Sequence, residues 1–230
     1  RSGTVALSYL AGYKGYLQTD GYSAYNRVGE QDGIVHVGCL AHARRKFHEA
    51  TKVSGGSPAA QEFLTLIRNS YCVEKELRAK DLDEADFVNE RKEQVNPLMD
   101  KLTRHLEKKA QQVAPSTALG KAIAYTREVL PRIQRYVDCV YLTPDNNAAE
   151  RAIRPFVLGR KNWLFSDTPS GAHASAAFYS LIESAKSASL EPYWYIRYVL
   201  EKLVQIEKTN NWEELLPQNL TSQQIHMLTP

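Results

Sequence analysis

The sequence predicts an α/β chain that is mostly helical, and three observations carry that prediction. Two short segments rich in β-branched and aromatic residues, Gly15 to Asp20 and Ile34 to Leu40, are each followed by a helical pattern. From Ala59 to about Tyr141 apolar residues recur at helix spacing. Further helical patterns follow Asp145, and no internal repeat is present.

Taken in order, Val5, Leu7, Leu10 and Ala11 space a short helix over Ser2 to Tyr13, with Ser2 or Thr4 as its cap. Gly15 to Asp20 reads as a strand ending in an acid at a Gly-marked turn, Tyr22 to Val28 as a short helix, and Gly29 to Gly33 as a polar turn. Ile34-Val-His-Val-Gly-Cys-Leu40 is the second strand and runs into a helix from about Ala41 to Val53. Strand, helix, strand, helix implies parallel pairing, since parallel neighbours need a crossover between them. Ser54-Gly-Gly-Ser-Pro58 marks a boundary. Beyond it, Phe63, Leu66, Ile67 and Tyr71, then Val95, Leu98, Met99, Leu102 and Leu106, then Leu119, Ile123, Tyr125 and Val129 give three or four helices. Asn96-Pro97 and Ala114-Pro115-Ser116 are expected breaks or starts, and Pro131 a kink. After a helix opening near Asn147, which Pro155 should kink or end, Trp163-Leu-Phe165 reads as a short extended piece with Phe165 in the core. Ala172 to about Ser187 and Pro192 to Lys208 read as helices, and the tail from Asn210 as a loop with short helical turns.

Composition narrows the class. The apolar fraction suffices for a packed core and excludes a disordered chain. No apolar run approaches the roughly 20 residues of a bilayer span, and Arg-Ser-Gly-Thr at the start lacks a signal peptide's order, so the chain reads as soluble and cytoplasmic, without a membrane partner. Cys39, Cys72 and Cys139 are scattered and odd in number, which argues against a disulfide framework. A net charge of +3 says little about partners, but its distribution says more. Arg151, Arg154, Arg160 and Lys161 occur with no acid between them, and Arg44, Arg45, Lys46 and Lys52 stand against Glu49 alone. Phosphate contacts depend on such local fields. Glu74 to Glu93, with eight acids and five bases, reads instead as a solvated helical face.

Two segments carry the chemistry. Gly15-Tyr-Leu-Gln-Thr-Asp20-Gly-Tyr-Ser-Ala-Tyr25 presents Asp20 at a strand end, and Asp145-Asn-Asn-Ala-Ala-Glu150-Arg-Ala-Ile-Arg-Pro155 presents Glu150 in the first turn of an Asn-capped helix. Carboxylates so placed suit a divalent metal, and with arginines beside them they point to phosphoryl transfer on nucleic acid. Plainer readings stay open. Glu150 fits the third position of a capping box with Asn147, Asp20 fits a turn before Gly21, and Arg154 fits an ion pair with Glu150. Cys39 and His42 have the spacing of half a zinc site but no partners at a second clean spacing, so packing or a hydrogen bond is the simpler role. Trp163 is open between the core and stacking on an unpaired base.

In this order, the first segment, Gly38-Cys-Leu-Ala-His-Ala-Arg-Arg-Lys-Phe47, the second segment and Gly159-Arg-Lys-Asn-Trp163 resemble the insertion-sequence-66 family of DDE transposases. The resemblance runs from about Arg1 to about Pro217 and includes Glu191-Pro-Tyr-Trp-Tyr195. It implies the C-terminal part of a ribonuclease-H-like core with a large all-α insertion: a first core segment at 1–53, the insertion at 54–141, a second core segment at 142–189 and a helical element at 190–230. It further implies Asp20 and Glu150 as the second and third acids of the catalytic triad, both ligating Mg²⁺ or Mn²⁺ in a two-metal site. DNA contacts would come from Arg151, Arg154, Arg160, Lys161, Arg44, Arg45 and Lys46, with Cys39 and His42 as a structural motif. The first acid of such a triad lies on an earlier strand, and no acid precedes Asp20 here. The expectation is therefore a fragment inactive alone, within a protein that cleaves transposon ends and joins them to target DNA. The rival from another class is a non-catalytic DNA-binding or assembly module. A carboxylate-pair hydrolase acting on sugars is a third reading, without a sugar-binding context. An unpaired parallel strand edge predicts self-association.

Overall fold

The structure, a computed structural model, describes residues 3–53 and 57–226. Ser54, Gly55 and Gly56 of the expected boundary lie outside the described residues. The chain divides into two compact units, 1–148 and 149–230.

In the first unit, α1 (Gly3–Tyr9), β1 (Gly15–Gln18), a 3₁₀ turn (Ser23–Tyr25), α2 (Asn26–Gly29), β2 (Ile34–Val37) and α3 (Leu40–Thr51) follow one another. The two strands pair in parallel, from Gly15 opposite Ile34 to Gln18 opposite Val37, as the element order predicts. Each ends earlier than its apolar run suggests. Past Gln18 the chain turns through Gly21 at φ +85°, and past Val37 Cys39 becomes the N-cap residue of α3.

Then come α4 (Pro58–Arg78), α5 (Glu84–Ala110), α6 (Ala118–Ile133) and a 3₁₀ segment (Gln134–Asp138). Ser57, Asp83 and Thr117 cap the three helices, each side chain accepting a backbone N–H three residues on. Their apolar stripes close on α3: Val37, Leu40 and Phe47 pack with Phe63, Ile67, Val95, Met99, Leu102 and Ile133 in one buried cluster. Asn96-Pro97 does not break the chain, because Pro97 sits inside α5. Its ring costs about 3 kcal/mol, whereas each of Val95, Met99, Leu102 and Leu106, all buried, returns roughly 1.5–3 kcal/mol. Nor is 74–93 a solvated face throughout, since Glu74 and Arg91 are buried.

His36 of β2 is buried, its Nε2 2.8 Å from the Thr19 hydroxyl. Its ring also fills the space where a Cβ on Gly29 would lie, 2.2 Å from Nδ1. Burial first, and then the charges of Arg132 and Arg135, lower its pKa from 6.5 to about 4. The folded ring therefore stays neutral where the unfolded one takes a proton. Stability from this group is complete above pH 6.5 and is lost as pH falls towards 4, by on the order of 3 kcal/mol. Urea unfolding at pH 7 and pH 4.5 should show this loss, and His36→Gln should show a smaller one.

The second unit holds α7 (Asn147–Trp163) from Ala149 onwards, α8 (Pro169–Ser187), α9 (Pro192–Thr209), two 3₁₀ turns and α10 (Ser222–His226). Ala185, Leu190, Tyr195, Leu220 and Ile225 form its core, and the Tyr195 hydroxyl donates to the Leu215 carbonyl at 3.0 Å. Pro155 lies inside α7 without ending it. The expected extended piece is absent here: the helix reaches Trp163, and Leu164 at φ 59° ends it. Phe165 is 71% exposed and not core. Trp163 covers Gly159 and lies 6.1 Å from both the Phe156 and Tyr179 rings.

Candidate functional site

Asp20 stands two residues past β1. One carboxylate oxygen accepts the Tyr22 N–H at 2.9 Å, so the turn expected on local grounds is formed. The Tyr125 hydroxyl on α6 donates to the Asp20 carbonyl at 3.1 Å. A Cβ at Gly21 would come within 2.9 Å of that hydroxyl, and φ is positive there, so glycine is required. The acid's backbone is thus held from the helical region.

The segment returning from that region reaches the same end of the sheet. Gln18, the last residue of β1, donates through Nε2 to the Thr143 carbonyl at 2.7 Å, and the Leu40 N–H, just past β2, donates to the Pro144 carbonyl at 2.8 Å. Asp145 follows, with one oxygen accepting the Tyr71 hydroxyl at 2.8 Å and the other the Asn147 N–H at 3.0 Å. Burial and then the bond to Asp145 raise the Tyr71 pKa, keeping the phenol protonated as the donor. Asn147 is the first helical residue of α7, so the capping box expected with Asn147 as cap is not set in that register. Asp145 is the acid that sequence reasoning missed. Its signal was an aspartate two residues before a helix start, the spacing of an Asx turn.

Cys39 is buried at the head of α3, and its sulfur faces the backbone N–H groups of Asn146, His42 and Ala41. Burial pushes the thiol pKa up against those three groups. A protonated, enclosed thiol is a poor metal ligand. The three cysteines are free, and among the described residues no group of three or more His, Cys, Asp and Glu side chains could hold a metal. Asp20 and Glu150, each half-buried, are hard oxygen donors of the kind Mg²⁺ takes.

Glu150 lies in the first turn of α7, in the second unit. At 3.6 residues per turn, Glu150, Arg154 and Lys161 share one side of this helix, with Arg151 at its margin. Ala149, Ala152 and Phe156 face away from that side and, with Ile153 at its edge and Ala176, Tyr179, Ser180 and Glu183 of α8, line a groove of about 340 Å³. Arg151, Arg154 and Lys161 are exposed, whereas the side chain of Arg160 lies outside the described ones. Arg44, Arg45 and Lys46 are exposed on α3 of the first unit, the Lys46 ammonium 5.3 Å from the centre of the Tyr125 ring.

Two family profiles match in succession, the Transposase IS66 family over residues 1–174 and the IS66 C-terminal element over residues 180–218. Uncharacterized protein y4jD of Sinorhizobium fredii is 34% identical over 98% of this chain and 45% of its own length. Uncharacterized protein y4qI of the same organism is 30% identical over 95% of this chain and 41% of its own length. The chain spans less than half the length of these curated relatives. No solved structure matches it significantly. Among the described residues no helix is long and apolar enough to cross a membrane. With one profile covering most of its length, the chain belongs to the IS66 transposase family.

Proposed function

We propose that this chain is the acid-bearing part of a transposase that cuts and joins DNA by metal-assisted phosphoryl transfer, with Asp20 and Glu150 as metal-binding acids. One observation supports the reading best. The segment leading into the Glu150 helix is hydrogen-bonded at Thr143 and Pro144 to the ends of both strands, on the side where Asp20 emerges. Parallel strands with helices beyond their C-terminal ends are consistent with part of a ribonuclease-H-like core.

A bound pair of Mg²⁺ or Mn²⁺ ions would activate the attacking oxygen and stabilise the leaving one. The chain's own residues supply the rest. Asp20 offers a carboxylate from a turn held by Tyr125, and Glu150 offers one from a helical first turn. Arg151, Arg154, Arg160 and Lys161, with Arg44, Arg45 and Lys46, hold backbone phosphates of transposon-end and target DNA. Among the described residues β1 and β2 pair only with each other, and a second copy pairing along an outer edge would give self-association. Activity is assigned to the whole protein, since the relatives are more than twice as long.

The test is Glu150→Gln in the intact protein. Cleavage of DNA carrying the element's ends is expected to fall on the order of a thousandfold, the scale of losing a group that acts on transition-state charge, while DNA affinity holds. The rival module reading draws on the Asp20 turn, where the carboxylate already accepts the Tyr22 N–H. Cleavage at the parental rate would favour it.

A further inference from the structure

A buried ion cluster joins the helical region to the returning segment. Arg91 on α5 is fully buried. Its Nη1 donates to the carbonyls of Tyr136 and Cys139, both at 2.8 Å, and its Nη2 to the Leu142 carbonyl at 3.2 Å and to Glu74 Oε1 at 2.9 Å. Arg78 at the end of α4 donates to the carbonyls of Val140 and Leu142, and its Nε reaches the same Glu74 oxygen at 2.9 Å. Four carbonyls between residues 136 and 142 therefore end on two guanidinium groups, and one carboxylate holds both.

Stability alone does not account for this arrangement. A buried ion pair yields little net stability once desolvation is counted, and apolar side chains of similar volume often do better. Glu74 Oε2, Arg91 Nε and the Tyr136 hydroxyl also have no hydrogen-bond partner among the described residues. What the cluster does is direct a path. Between the 3₁₀ segment ending at Asp138 and α7 starting at Asn147 the chain has no regular structure to fix its carbonyls, so side chains fix them.

We infer that Glu74, Arg78 and Arg91 are positioning residues for the proposed reaction: they set the course of residues 136–142 and so the start of α7, whose first turn carries Glu150. The functional consequence rests on Glu150 being a metal-binding acid; the positioning itself does not.

Arg78→Gln is the informative variant. The Arg78 side chain is 38% exposed, and Glu74 keeps Arg91, so no buried charge is stranded. Hydrogen exchange read by mass spectrometry should rise about tenfold at Leu40, Leu142 and Asn147, whose N–H groups bond within or onto the returning segment. Amides of Met99 to Leu106 in α5 should exchange as in the parent. Mn²⁺ titration followed by electron paramagnetic resonance should show about tenfold weaker binding, the scale of a lost supporting contact. Arg91→Lys, which keeps the charge but not the fork, should give the same local rise. An unchanged returning segment, or a rise spread evenly through α5, would overturn the inference. A parent chain that binds no Mn²⁺ would remove the metal reading of Glu150, and the exchange result would still decide the positioning.

Discussion

Replacing Arg151, Arg154 and Lys161 together with alanine is expected to weaken DNA binding by roughly two to three orders of magnitude at 0.1 M salt. Each phosphate contact contributes about 0.9 to the slope of log affinity against log salt, so the slope should fall by nearly 3. The three residues are exposed and lie on the side of α7 away from the apolar groove, so their removal disturbs no packing. The loss should be uniform across DNA sequences, because phosphates carry no base information. Removing Lys75, Lys101 and Lys108, exposed on α4 and α5, changes net charge equally and should leave the slope near the parental value. Fluorescence anisotropy between 50 and 200 mM salt measures both, and equal slopes would assign DNA contact elsewhere.

Phe63→Ala is expected to destabilise the first unit by about 3–5 kcal/mol, much of a domain's total stability. Phe63 is fully buried, stacks on Phe47 with ring centres 4.4 Å apart, and meets the His105 ring edge-on at 4.6 Å. Alanine would lose the transfer energy of the ring and leave a cavity among three helices that cannot collapse independently. Phe63→Leu refills most of that volume and should cost far less. Urea denaturation at pH 7 separates the two, and similar midpoints would mean that the α3–α4 contact is softer than described.

The helical region was legible because its apolar residues repeat at 3.6-residue spacing, whereas the caps at Ser57, Asp83 and Thr117 emerge only in the structure. The parallel strand pair was legible from element order alone. The errors have a common cause, which is tertiary structure overriding a local signal. Pro97 is tolerated because the residues around it are buried, and Phe165 is turned out by one left-handed residue that its own side chain does not announce. The Glu74–Arg91 cluster sat inside a charge-rich run that reads as solvated, and only the distant carbonyls of 136–142 explain its burial. Of the proposed site, Asp20 and Glu150 are singled out by the family resemblance of four motifs in register. The ties through Tyr125, Tyr71 and Asp145 were not, because each joins residues far apart in sequence through a single hydroxyl.

The most direct measurement is calorimetric titration of the chain with Mn²⁺, repeated on Asp20→Asn and Glu150→Gln. If both acids serve one metal site, the parent binds with measurable heat and each single variant loses it. Heat that survives in either variant, or none in the parent, would contradict the shared role of the two carboxylates.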